Sequence, residues 1–181
     1  MYYRLLAVPK IQQQHSMSCW YAAARMVIGT FISGPIYGLG QESSELFSAG
    51  LSNARYREFA RSNNLKPMED SEDEIMEYAA KHSKNYPGVD FGKLKYMLEK
   101  YGPIWTVIYQ GKHAVVVTGV EANENSTQVI YNDPADAQEK RMELGVFNVS
   151  VDWRCKGVMC HYAEGNKAPR MSAIISIQCG C

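Results

Sequence analysis

The dipeptide Gly102-Pro103 marks a change of hydrophobic period, and no other feature constrains the fold more. Before it, apolar residues recur three and four apart, the spacing of one helix face. Trp20, Ala23, Ala24, Val27 and Ile28 predict a helix over 18–28, with Ser18 as its N-cap and Gly29 able to end it. Residues 30–44 are rich in Gly and Ser and are expected to form a loop. A second helix over 53–62 would bury Tyr56, Phe59 and Ala60. Ser71-Glu-Asp-Glu74 has the form of a capping box, followed by Ile75, Met76, Tyr78 and Ala79, and Asn85-Tyr-Pro-Gly88 forms a turn. Asp90 caps a further helix that carries Phe91, Leu94, Met97, Leu98 and Tyr101 and stops at Gly102-Pro103.

After Pro103 the residues change in kind. Segments 104–109, 113–120 and 128–131 are rich in Val, Ile, Trp and Tyr, as strands are, and 145–151 and 171–178 are later strand candidates. Helices first and then an antiparallel sheet make an α+β fold. With 181 residues, one domain over 1–181 is expected, the Cys-containing segment 152–181 being part of it or appended to it. Lys+Arg and Asp+Glu both number 19, so the charge balance lacks the basic excess of a broad nucleic-acid binder. No apolar run reaches the length of a membrane span, and the N-terminal stretch Met1–Pro9 is too short and weakly basic for a secretory signal. The sequons at Asn125 and Asn148 therefore carry little weight.

Five cysteines are unevenly placed: Cys19 stands alone, while Cys155, Cys160, Cys179 and Cys181 fall near the C-terminus. An odd count so clustered argues against a chain-wide disulfide framework. Cys19 opens the first predicted helix, where unpaired backbone N–H groups and the helix dipole favour a thiolate. On its own, a cysteine at such a place is more often a buried structural residue. A nucleophile needs a base and an orienting acceptor. His15 is too near in sequence to fold back onto Cys19, and His82 and His161 lie among polar residues, where they are expected to be solvated. His113 opens the strand His-Ala-Val-Val-Val-Thr-Gly119 and is held on a rigid element. If that strand pairs with 128–131, His113 lies opposite about residue 135, which brings Asp133 of Asn132-Asp133-Pro134 within reach of its imidazole. The Cys19 N–H is one oxyanion donor; a side-chain amide from Gln12, Gln13 or Gln14 could be the other.

Gln13-x5-Cys19-Trp20, Gly102-Pro103-Ile104-Trp105, His113-Ala-Val-Val-Val-Thr-Gly119 and Asn132-Asp133-Pro134, in that order, resemble a papain-like cysteine peptidase. The similarity is strongest to the bacterial group that includes the bacteriocin-processing C39 peptidases and the AvrRpt2-like effectors. It covers residues 10–134. The resemblance implies a papain-like fold, with N-terminal helices packed on a C-terminal antiparallel sheet. It implies Cys19 as nucleophile, His113 as general base, Asp133 as orienting residue and Gln13 as oxyanion donor, without cofactor or metal. The chain departs from papain itself, which has a Cys-Gly-Ser-Cys-Trp run and a longer gap to its histidine, so papain's substrate pockets do not transfer.

What the resemblance implies in the cell is a secreted effector or toxin used in competition between bacteria. It would be made in the bacterial cytoplasm, exported without a cleavable signal and active in a target-cell cytoplasm, with a protein substrate and a cognate immunity protein. Cleavage after Gly-Gly is suggested by C39 kinship alone. Neither nucleic acid nor membrane insertion is expected. A glutamine deamidase or transglutaminase would use the same residues, since it too passes through a thioester. A non-catalytic binding module on this fold would usually have lost the cysteine. The tail's Cys155, Cys160, His161, Cys179 and Cys181 match no common zinc-finger spacing, and they read best as reduced thiols around a last strand. The acidic run 69–77 reads as a solvated helix face.

Overall fold

The structure is a computed structural model and describes residues 1–5, 7–40, 42–68, 88–151, 153 and 159–163. The capping box at Ser71 with its helix, the acidic run 69–77, most of the turn 85–88, the strand 171–178, His82, Cys155, Cys179 and Cys181 lie outside those residues.

Strand β1 (Tyr2–Arg4) precedes helix α1 (Cys19–Phe31), then α2 (Ser44–Ala49) and α3 (Asn53–Ser62). Strand β2 (Leu65–Pro67) follows, and after it α4 (Phe91–Tyr101). A run of strands comes next: β3 (Ile104–Ile108), β4 (His113–Ala122), β5 (Thr127–Asp133) and β6 (Gln138–Glu143). Helix α5 (Leu144–Ser150) and strand β7 (Met159–Tyr162) complete the described elements. The sheet runs β2-β7-β3-β4-β5-β6, all neighbours antiparallel, so the fold is α+β. No helix among the described residues is long and apolar enough to cross a membrane.

Strand β4 organises the sheet. β5 pairs along one edge of it from residue 116 to 122. The other edge is shared: β3 takes residues 113–117 and β1 takes 119–121. Between them the β4–β5 register shifts by one residue, a bulge at Thr118 whose carbonyl accepts from the Leu5 N–H at 2.8 Å. Gly119 is required there, because a Cβ would stand 2.7 Å from the Tyr3 carbonyl oxygen. Fully buried residues of α1 (Ala23, Ala24, Met26, Val27), α4 (Leu94, Met97, Leu98) and strands β3–β5 (Trp105, Val115, Val116, Val117, Val129) belong to one core.

Several local expectations change. Helix α1 passes through Gly29 to Phe31, because Gly29 admits Pro9 closely (a Cβ would lie 3.2 Å from the proline ring) and its backbone continues the helix. The Ser18 hydroxyl does not cap α1. It donates to the His15 carbonyl and accepts from the His15 N–H, closing the loop before the helix instead. The expected loop 30–44 ends in the start of α2, capped by Ser43 and closed by Gly50 at φ 79°. Segment 145–151, expected as a strand, is helical. Glu143 accepts from the Val146 N–H, and the buried residues Phe147, Ser150 and Val151 fall on one helical face while Val146 and Val149 are exposed. In so short a segment alternation and helical spacing share most positions, and the cap decides. β6 carries no β-branched residue; its turn and its pairing with β5 make it a strand.

Candidate active site

The site is assembled where the N-terminus of α1 meets the mouth of the β4–β5 hairpin. Cys19 is the first residue of α1, and its Sγ lies 3.4 Å from the backbone nitrogen of Ala114 on β4. Trp20, behind it, is buried between Phe47 and Phe59 (ring centroids 5.7 and 4.7 Å away) and donates its indole N–H to the Met17 carbonyl at 2.9 Å. The helix end is thereby held rigidly by packing on one side and the sheet on the other. The side chain of Ser18 does not cap the helix, and the Cys19 N–H lies among the first-turn donors that have no partner within the helix.

His113 begins β4 and is half-buried. Its Nε2 stands 2.7 Å from Asp133 Oδ1 on β5. Cys19 Sγ, against the backbone nitrogen of the next residue, Ala114, is among the groups that raise the pKa of the His113 imidazole. The pairs Val116–Asn132 and Val117–Tyr131 define the register; extended to the mouth, it sets His113 across from Ala135. Asp133 sits two positions inside that partner, and its side chain reaches across.

Asp133 is 6% exposed and fully employed. Oδ1 accepts from the Ala135 N–H at 2.9 Å as well as facing His113, and Oδ2 accepts from Lys140 Nζ at 2.8 Å. Burial opposes the charged carboxylate, but Lys140, the Ala135 N–H and His113 outweigh it and hold the carboxyl below its ordinary value. For His113, burial disfavours the imidazolium, while the hydrogen bonds and charges of Cys19 and Asp133 favour it; the net shift is upward. The site therefore favours a protonated imidazole between a sulfur and a carboxylate, the state from which a leaving amine takes a proton.

Gln13 is placed differently from its neighbours. Its backbone N–H donates to the Pro134 carbonyl at 2.7 Å, which ties the loop before Cys19 to the turn after Asp133. Gln12 Nε2 donates to the Ala135 carbonyl from the same loop. The Gln13 amide donates to the carbonyls of His15 (2.8 Å) and Ser16 (2.9 Å), and its buried Oε1 has no partner. Both amide protons are thus engaged in shaping the loop that leads into Cys19. His15 stacks on Phe47 with ring centroids 5.0 Å apart.

Sequence reasoning missed Lys140 and Tyr109. Lys140 follows Asp133 by seven positions; carried one strand further, the hairpin register places it on β6 opposite Tyr131, diagonal to Asp133. Tyr109 lies in the tight β3–β4 turn at φ 53°, its ring stacked near His113 (centroids 6.4 Å apart). Tyr109 also acts on buried Tyr131, whose hydroxyl is pushed up to about 12 by burial and by the charges of Tyr109 and Asp133. His161, expected to be solvated, is buried: β7 runs between β2 and β3 and packs it against Tyr101 (4.4 Å). Burial holds the His161 imidazole below its usual range. Cys160 beside it is buried too, and no group of three or more potential metal ligands occurs among the described residues.

A cleft of about 610 Å³ opens beside Cys19 and His113. Trp20, Leu51, Tyr56 and Val107 contribute to its walls. A family model described as papain-like cysteine protease AvrRpt2 matches residues 4–152, a span that takes in α1 and the whole β4–β5–β6 unit.

Proposed function

The chain belongs to the AvrRpt2 family of papain-like cysteine proteases, and on that premise we propose that it cleaves a protein substrate by a Cys19–His113–Asp133 thioester mechanism. The observation that carries the proposal is the convergence of Cys19 and His113 on one cleft, with Cys19 Sγ 3.4 Å from the nitrogen of Ala114, the residue after His113, and His113 Nε2 2.7 Å from Asp133 Oδ1. The Cys19 thiolate attacks the substrate carbonyl carbon; a C–S bond forms and the π pair moves to oxygen. The Cys19 N–H faces that oxyanion. Gln13 joins it as donor by releasing one of the carbonyls of His15 and Ser16. The His113 imidazolium passes its proton to the amine nitrogen as the C–N bond breaks, leaving a thioester. Water then adds to the thioester carbonyl, His113 takes its proton, and breaking of the C–S bond regenerates the thiolate.

The proposed setting follows the resemblance: a bacterial effector acting inside a target cell, restrained in its producer by an immunity protein. Cleavage after Gly-Gly rests on C39 kinship, whereas the roomy cleft supports a residue larger than glycine at one position near the cut. N-terminal proteomics of cells expressing the wild type or Cys19→Ala tests the reaction. New N-termini that depend on Cys19 are expected. Cys19-dependent conversion of glutamine to glutamate, or cross-linking, without new N-termini would replace proteolysis by deamidation or transglutamination.

A further inference from the structure

The cleft beside Cys19 combines apolar walls with a one-sided set of charges. Arg55, Arg57 and Lys112 line it, and Glu45 is the one carboxylate among the lining residues. All four are exposed, and none of the three cations forms an ion pair among the described residues. Arg55 lies in the first turn of α3, which has no acidic residue and where the helix dipole disfavours a cation. Helix α3 is held in place from within: Ser52 caps it, and Tyr56, between the two arginines, stacks on buried Trp105 with ring centroids 4.4 Å apart. Lys112, also lining the cleft, directly precedes His113 in the turn that ends at β4.

We infer that this cleft selects substrates with an acidic side chain at one fixed position close to the scissile bond. The inference rests on the protease reading, since the cleft is taken as the place where substrate lies. An aspartate or glutamate there would meet two guanidinium groups and an ammonium that lack carboxylate partners among the described residues, in a partly enclosed space where apolar walls strengthen the field. A lysine or arginine at the same position would meet like charge, so discrimination is by repulsion as well as attraction. Arginine's planar fork suits a carboxylate, which favours carboxylates over other polar side chains.

Tetrapeptide acyloxymethyl ketones test this without a known substrate, because the thiolate of Cys19 displaces the carboxylate leaving group and is trapped as a thioether. Probes carry Glu, Gln or Lys at each of the three positions before the ketone-bearing residue, and the rate of Cys19 adduct formation is read by mass spectrometry. At one position Glu is expected to label about tenfold faster than Lys, with Gln between. That ratio should shrink as salt rises and collapse in Arg55→Glu/Arg57→Glu, while Arg57→Gln alone reduces it about threefold. Ratios within twofold at every position in the wild type, or a ratio indifferent to both salt and the arginine changes, would overturn the inference and leave the protease reading standing. Failure of every probe to label Cys19 would overturn the protease reading and the inference together.

Discussion

Asp133 has three neighbours that compete for two oxygens, and the division among them sets the state of His113. Oδ1 serves His113 and the Ala135 N–H; Oδ2 serves Lys140, which also holds Asp136 at 2.9 Å. If Asp133 orients the imidazole, Asp133→Ala lowers kcat/KM about a hundredfold less than Cys19→Ala or His113→Ala. On the proposed mechanism those two act as one unit and are each expected to cost roughly 10⁶-fold. Lys140→Met leaves the His113–Asp133 contact in place but frees Oδ2. Because the ammonium is partly exposed, the expected loss is severalfold, with the acidic limb of the pH–rate profile moved to higher pH as the Asp133 carboxyl loses the cation that keeps it ionised. An unmoved limb would show that Lys140 does not act through Asp133.

At the level of elements, the hairpin was legible because its register is local: a short loop between β4 and β5 leaves little freedom in which residue faces which. That is why Asp133 could be matched to His113 from numbering. The same local logic missed Lys140, since β6 has no apolar pattern to announce it, and misread 145–151, where a cap and a strand pattern compete over seven residues. The burial of His161 was illegible because it depends on β7 joining β2 and β3, a pairing between distant segments. The bulge at Thr118 makes its own prediction. Gly119→Ala forces a methyl against the Tyr3 carbonyl and should cost about 1–3 kcal/mol in urea denaturation. Gly92→Ala, on α4 with only Asp90 Oδ1 nearby at 3.5 Å, should be neutral or stabilising by up to ~1 kcal/mol. Equal effects would mean that β1 does not lie against β4 at that bulge.

For the whole molecule, the two shifted groups define a pH window. Asp133, its folded pKa below the ordinary value of 3.8, contributes stability that is complete above 3.8 and lost as pH falls through the lower folded value. His113, its folded pKa above 6.5, contributes stability that is complete below 6.5 and lost as pH rises through the raised folded value. Both contributions are whole between those two ordinary values. The Tm of the wild type should therefore be highest near about pH 5.5 and decline toward alkaline pH. His113→Ala should flatten the alkaline decline; a wild-type and a variant curve of the same slope would show that His113 is not charged by its partners. The most direct measurement on the central pair is the rate of iodoacetamide alkylation at each cysteine near neutral pH, mapped by mass spectrometry in the wild type and in His113→Ala. Cys19 should react fastest in the wild type and lose that advantage in the variant. Fast labelling of the tail cysteines with Cys19 inert, or a Cys19 rate unchanged without the imidazole, would contradict a nucleophile activated across this cleft.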